Sequence, residues 1–191
     1  MSGGPERMPV SLPLVRHPEC PAGAVREVRI GLEQWPDGTV AMVYSLEADM
    51  ARVRIPGPVS ARRVDGLWQH TCFEAFFARA GNEAYHEFNF SPSGEWAVYA
   101  FHRYREGGSN LAGDCIPAIK VRRAADRLEL SAVIPRAFLP PGPADVPFRL
   151  GLSAVIEDKD GVLSYWALRH PPGKPDFHHP DAFALELREE S

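Results

Sequence analysis

The chain has 191 residues, a length that suits one domain with room for a substantial core. Hydrophobic residues make up 45% and charged residues 24%, an ordinary balance for a globular chain. Lys and Arg total 21 against 25 Asp and Glu, a formal charge of -4. The basic residues are scattered, which argues against nucleic acid as a partner.

The first twenty residues, MSGGPERMPVSLPLVRHPEC, hold no apolar run of signal-peptide length, and no later run suits a membrane span. The expectation is a cytoplasmic protein with no membrane partner. Cys20, Cys72 and Cys115 are odd in number and lack metal-ligand spacing, as expected of reduced thiols.

Residues 1–22 read as an extended leader, because Pro5, Pro9, Pro13, Pro18 and Pro21 exclude a stable helix. Residues 23–191 read as a single domain. VREVRIGLEQ alternates as a strand does, and TVAMVYSLEA returns after the turn signal Pro36-Asp37-Gly38. Arg52-Val53-Arg54-Ile55 is a short alternating run closed by Pro56. TCFEAFFAR and AYHEFNFS flank the loop Ala80-Gly81-Asn82-Glu83, and EWAVYAFHRY follows. AIKVRRA, RLELSAVI, FRLGLSAVIED, VLSYWALR and AFALEL complete about ten strand candidates, while IPRAFLPPG holds at most one helical turn. No window sustains a helical period, so short strands must pair antiparallel. The expected fold is an all-β, jelly-roll-like antiparallel β-sandwich with little helix.

The central hairpin divides its residues by face, because strand side chains alternate. Ser91-Pro92-Ser93-Gly94 fits a type I turn followed by a glycine bulge. That turn sets Phe90 opposite Trp96, Asn89 opposite Ala97 and Glu87 opposite Tyr99. Phe88, Phe90, Trp96 and Val98 then face the core, as do Phe73, Ala75 and Phe77 on the preceding strand. The other face collects His70, Cys72, Glu74, Phe76, Glu87, Asn89 and Tyr99, with Tyr85 and Phe101 further out and Trp68 in phase. Carboxylates and an amide beside aromatic rings suit a hydroxyl-rich ligand, although the same pattern also fits a plain solvated face.

DGLWQHTCFEAFF, YHEFNFSPSGEW and LSYWALRHPPGKPDFHHPDAFALEL together resemble the DOMON-like superfamily, which includes the family 9 carbohydrate-binding modules. The resemblance runs from about residue 25 to the end. It implies a β-sandwich that binds a sugar or, in other branches, haem b. In the sugar-binding branch a tryptophan lies six residues before a sugar-contacting glutamate, a spacing that Trp68 and Glu74 share. A second tryptophan near the C-terminus would complete the stack, and Trp166 is the candidate. The haem branch uses a Met with a His or Lys as axial ligands. Met42 and Met50 are available, but no histidine is coupled to either by the sequence.

HPPGKPDFHHP carries His170, His178 and His179 with Asp176, without the helical spacing of a zinc enzyme. The expectation is a proline-stiffened loop folded over the mixed face. The residues expected to bind a small ligand, a carbohydrate first, are Trp68, Glu74, Glu87, Asn89, Tyr99, Trp166, Asp176 and His178. No catalytic residue, bound metal or resident cofactor is expected. A haem-binding domain and a metal-dependent hydrolase using Glu74 or Glu87 as base are the alternatives.

Overall fold

Alternation in the sequence becomes twelve strands among the described residues, which are 10–21, 23–111 and 117–189 of a computed structural model. In chain order they are β1 (Val10–Arg16), β2 (Val25–Gln34), β3 (Val40–Ala48), β4 (Cys72–Arg79), β5 (Tyr85–Phe90) and β6 (Trp96–Phe101). The second half comprises β7 (Ser109–Asn110), β8 (Ala118–Arg123), β9 (Arg127–Ile134), β10 (Phe148–Glu157), β11 (Leu163–Ala167) and β12 (Leu185–Leu187). Every ladder between these strands is antiparallel. Among the described residues three 3₁₀ turns interrupt them, and one, Arg136–Phe138, falls on IPRAFLPPG.

Two sheets form the sandwich. One runs β1-β2-β3-β9-β8, and the other runs β11-β10-β4-β5-β6-β7, with β12 beside the start of β10. Strand β1 joins them, pairing with β2 over Val10–Leu14 and with β11 at Val15 and Arg16. The inner faces meet in one core. Val28, Ile30, Met42, Tyr44, Leu46, Leu128 and Leu130 come from the first sheet, and Phe73, Phe77, Phe88, Phe90, Val98 and Leu152 from the second. Each such side chain contributes roughly 1.5–3 kcal/mol on full burial. Tyr44 crosses this core and donates its hydroxyl hydrogen to the Glu74 carbonyl at 2.7 Å, tying the two sheets together beneath the mixed face.

The Ser91–Gly94 turn sets the register the sequence implies. Gly94 N–H donates to the Ser91 carbonyl at 2.9 Å, and Ser91 N–H donates to the Glu95 carbonyl at 2.9 Å. Gly94 has φ of 93°, a conformation that costs an L side chain strain. Glu87 pairs with Tyr99, Asn89 with Ala97 and Phe90 with Trp96.

Two expectations need correction. Part of the predicted leader is built into the sandwich as β1, because proline excludes helix but not an extended chain. Pro13 falls where β1 pairs, among the described residues, with β2 alone, a position that tolerates a missing N–H. The run at residues 52–55 forms a single bridge, Val53 with Asp158, rather than a strand. Ser109 and Asn110, just after Gly107-Gly108, form the short edge strand β7. Cys20 and Cys72 are buried free thiols, and Cys115 lies outside the described residues. No described helix is long and apolar enough to cross a membrane.

Candidate ligand site

The outer face of the second sheet is covered as well as the inner one. Phe177 and Phe183, from the segment before β12, pack on Phe76, Tyr85 and Val155. Leu67, in the 3₁₀ turn Leu67–Gln69, packs on Cys72, Ala97 and Tyr99. Between these apolar patches lies a cavity of about 360 Å³, a size typical of small-molecule sites.

Glu74 and Glu87 line it, with Trp68, Tyr99, Phe101, Tyr165 and Phe177 as aromatic walls and Arg105 and His178 at one side. The pairing of β4 with β5 brings the acids together: Glu74 is opposite Asn89, and Phe76 is opposite Glu87. Both acids are buried, Glu74 at 3% exposure. Asn89 Nδ2 donates to Glu87 Oε1 at 2.7 Å, while its Oδ1 accepts a weaker contact from Cys72 Sγ at 3.6 Å. Glu74 Oε1 has no hydrogen-bond partner among the described residues. The same holds for Ser153 Oγ, directly across the ladder on β10. Buried polar groups are rarely left this way, so the floor is polarised but unsatisfied.

Burial, then repulsion from Glu87, pushes the Glu74 carboxyl well above the ordinary glutamate range. Burial raises Glu87 to about 7, with Asn89 and Arg105 partly opposing the shift. The pair therefore holds on to protons near neutrality, as adjacent buried carboxyls do.

His178 closes one side. Tyr85 OH and His178 Nδ1 are 2.8 Å apart, and the Tyr85 oxygen accepts the Arg105 backbone N–H at 3.2 Å. In the tautomer where Tyr85 gives its hydrogen to Nδ1, the imidazole proton sits on Nε2, 3.7 Å from Glu87 Oε2. Burial, reinforced by Arg105, lowers His178 to about 4, so the ring is neutral at pH 7. Arg105 occupies a left-handed backbone conformation with φ of 55°, the one non-glycine residue among those described with positive φ. Strain of this kind persists where surrounding contacts enforce it. Here the enforcing contacts are the bond to Tyr85 and an ion pair with Asp176 at 2.8 Å.

Of the eight expected residues, Trp68, Glu74, Glu87, Tyr99 and His178 line the cavity. Asn89 lies beneath and orients Glu87. Asp176 stands outside, where it accepts from Tyr104 OH at 2.6 Å, Arg105 and the His178 N–H. Trp68 sits on the 3₁₀ turn rather than on an extended β4, edge-on to Tyr99 at 6.0 Å, and remains 43% exposed.

Trp166 is the misplaced member. It is 6% exposed within the inter-sheet core, and its Nε1 donates to Ser164 Oγ at 3.0 Å. It pairs with Ala154, whereas Tyr165 pairs with Val155, and those two line the cavity. Alternation sends Trp166 inward and leaves Tyr165 as the aromatic of β11 at the site. Arg105, Tyr165 and Phe177 were missed by the sequence reading. Tyr165 had a signal, its phase relative to Trp166, but Arg105 and Phe177 reach the cavity from loops without periodicity.

The segment at 170–179 does fold over the mixed face, and it is anchored as a wall. His17 Nε2 meets the Gly173 carbonyl at 2.9 Å, and the Asp176 and His178 bonds hold its middle. The three histidines diverge: His170 Nε2 faces the Val15 carbonyl at 2.8 Å, and His179 Nδ1 accepts the Asp181 N–H at the next 3₁₀ turn. Among the described residues no three His, Cys, Asp or Glu side chains group as metal ligands. Among the described residues no methionine is paired with a histidine in a haem-sized pocket: Met42 is enclosed in the inter-sheet core, and Met50 borders a surface hollow whose lining includes Lys159 but no histidine.

No protein-family model matches the sequence, and the comparison with curated proteins found no match. Solved structures share the fold. A "putative carbohydrate-binding protein" from Bacteroides uniformis ATCC 8492 is 16% identical, with TM-score 0.66, covering 91% of this chain and 83% of that one. A family 9 carbohydrate-binding module from Caldicellulosiruptor kristjanssonii, in complex with cellotriose, is 12% identical with TM-score 0.50, covering 90% and 74%. The chain has an all-β antiparallel fold similar to that of a family 9 carbohydrate-binding module.

Proposed function

We propose that the chain binds a sugar or sugar derivative in the cavity above Glu74 and Glu87, as a binding domain of the DOMON-like kind rather than as an enzyme. The observation that carries this reading is a buried carboxyl with an unpartnered oxygen on the floor of an aromatic-walled cavity. A ring of hydroxyls supplies donors for Glu74 Oε1 and the Glu87 carboxyl, while its C–H faces lie against Trp68 and Tyr99. Asn89 fixes the Glu87 carboxyl at 2.7 Å, so little ordering cost remains at binding. The solved structures of similar fold, described as carbohydrate-binding and bound to cellotriose, support the same ligand class.

A calorimetric screen of mono- and disaccharides tests the reading, with saturable binding expected from at least one. Trp68→Ala should then weaken that binding about fivefold, since an aromatic contact contributes roughly 1 kcal/mol. The melting temperature should barely move, because the Trp68 ring is only partly covered. Unchanged affinity in this variant would remove Trp68 from the site.

A further inference from the structure

We propose that the cavity takes a ligand bearing an ammonium group, so that an amino sugar is bound in preference to the neutral sugar of the same shape. This rests on the sugar reading above and adds the charge of the ligand. The floor presents two carboxyls, and one of them, 3% exposed, has an oxygen with no partner among the described residues. Five aromatic side chains line the walls, and the quadrupole of an aromatic ring attracts a cation placed over its face.

Among the described residues no free positive charge faces this floor. The Arg105 guanidinium is held by Asp176, and His178 spends Nδ1 on Tyr85 and stays neutral. The remaining ionisable groups around the cavity are weak acids: Cys72 on β4, Tyr85 on β5, Tyr99 on β6 and Tyr165 on β11. Tyr99 already donates its hydroxyl hydrogen to Asp65, which Arg63 neutralises at 2.7 Å. Beyond Trp68, Glu157 is occupied by His70 at 2.8 Å and by Arg54 at 3.4 Å.

A neutral sugar leaves the acid pair to be accommodated by retained protons. An ammonium brings three N–H donors and a charge, enough to satisfy both Glu74 Oε1 and Glu87 Oε2 in ionised form. Binding therefore displaces protons from the pair into solution.

Calorimetry at pH 6 and pH 7 with four probes tests the proposal: glucosamine, glucose, N-acetylglucosamine and cyclohexylamine. Glucosamine should bind at least tenfold more tightly than glucose or N-acetylglucosamine and should tighten from pH 6 to pH 7. Its apparent enthalpy should change with the ionisation enthalpy of the buffer, reporting proton release. The double variant Glu74→Gln, Glu87→Gln should abolish the preference, and circular dichroism checks that it is folded. Glucose or N-acetylglucosamine binding as tightly as glucosamine overturns this inference and leaves the sugar reading standing. Cyclohexylamine binding where all three sugars fail keeps the ammonium site and overturns the sugar reading. Failure of all four overturns both.

Discussion

Glu74→Gln is expected to stabilise the protein at pH 8 while removing ligand binding. The native fold buries the Glu74 carboxyl against Glu87 and leaves one of its oxygens without a partner among the described residues. Glutamine keeps the volume of the side chain and removes both the ionisation and the repulsion. Replacing uncompensated buried ionisable groups typically gains on the order of 2 kcal/mol. For a domain of this length that corresponds to a melting-temperature rise of about 4–8 °C. The sign follows from linkage. A raised native pKa means that the native state holds a proton the unfolded chain has released, so the penalty grows as pH rises above the ordinary glutamate value. The gain in the variant should accordingly be present at pH 8 and vanish below about pH 4, where both states are protonated. Thermal denaturation across this range is the measurement. A variant less stable than the parent at pH 8 would mean that Glu74 is held by favourable contacts, and the cavity would lose its claim to be a site built at the expense of the fold.

Opposite changes in pH dependence are expected from the two sides of the Glu87–His178 contact. Glu87 is raised to about 7, so between its ordinary value near 4.5 and pH 7 its contribution to stability falls as pH rises. His178 is lowered to about 4 from an ordinary 6.5. Between those values the unfolded chain takes up the proton first, and the histidine's contribution falls as pH drops. Each shift amounts to about 3 kcal/mol at full expression. Over pH 4.5–6.5 the two oppose one another, while Glu74 adds to the acid side. Relative to the parent, His178→Gln should steepen the loss of stability with rising pH, and Glu87→Gln should flatten it. Each slope should change by up to about 1.4 kcal/mol per pH unit. Urea denaturation at half-unit pH steps reads both slopes. Changes of the same sign would show that the two groups do not titrate as their surroundings dictate.

Much of this site was legible in one hairpin. Ser-Pro-Ser-Gly fixed which residues of β5 and β6 face together, and period-two alternation then placed Glu87, Asn89 and Tyr99 opposite the core. Glu74 joined them because β4 carries the same phase. The burial of that face was not legible. It depends on residues 170–183 and on the turn at Leu67–Gln69, whose positions are set by long-range contacts such as His17 with Gly173. β11 was ambiguous for a related reason. Both of its faces are covered, so Trp166 and Tyr165 are both aromatic, and hydropathy does not say which one meets the ligand cavity. β1 was hidden by its prolines, which exclude helix and are tolerated at its one-sided stretch. Arg105 carries no pattern at all, since its role comes from a left-handed backbone in a loop.

The most direct test of the account is a ¹⁵N–¹H correlation spectrum of the labelled protein titrated with glucosamine and, separately, with glucose. The Trp68 indole N–H and the backbone amides of Glu74, Glu87, Arg105 and His178 should shift together and saturate with at least one of the two sugars, while the indoles of Trp35 and Trp166 stay in place. Saturating shifts confined to other residues, or no shift with either sugar at tens of millimolar (about the weakest specific range), would contradict the cavity above Glu74 and Glu87 as the binding site.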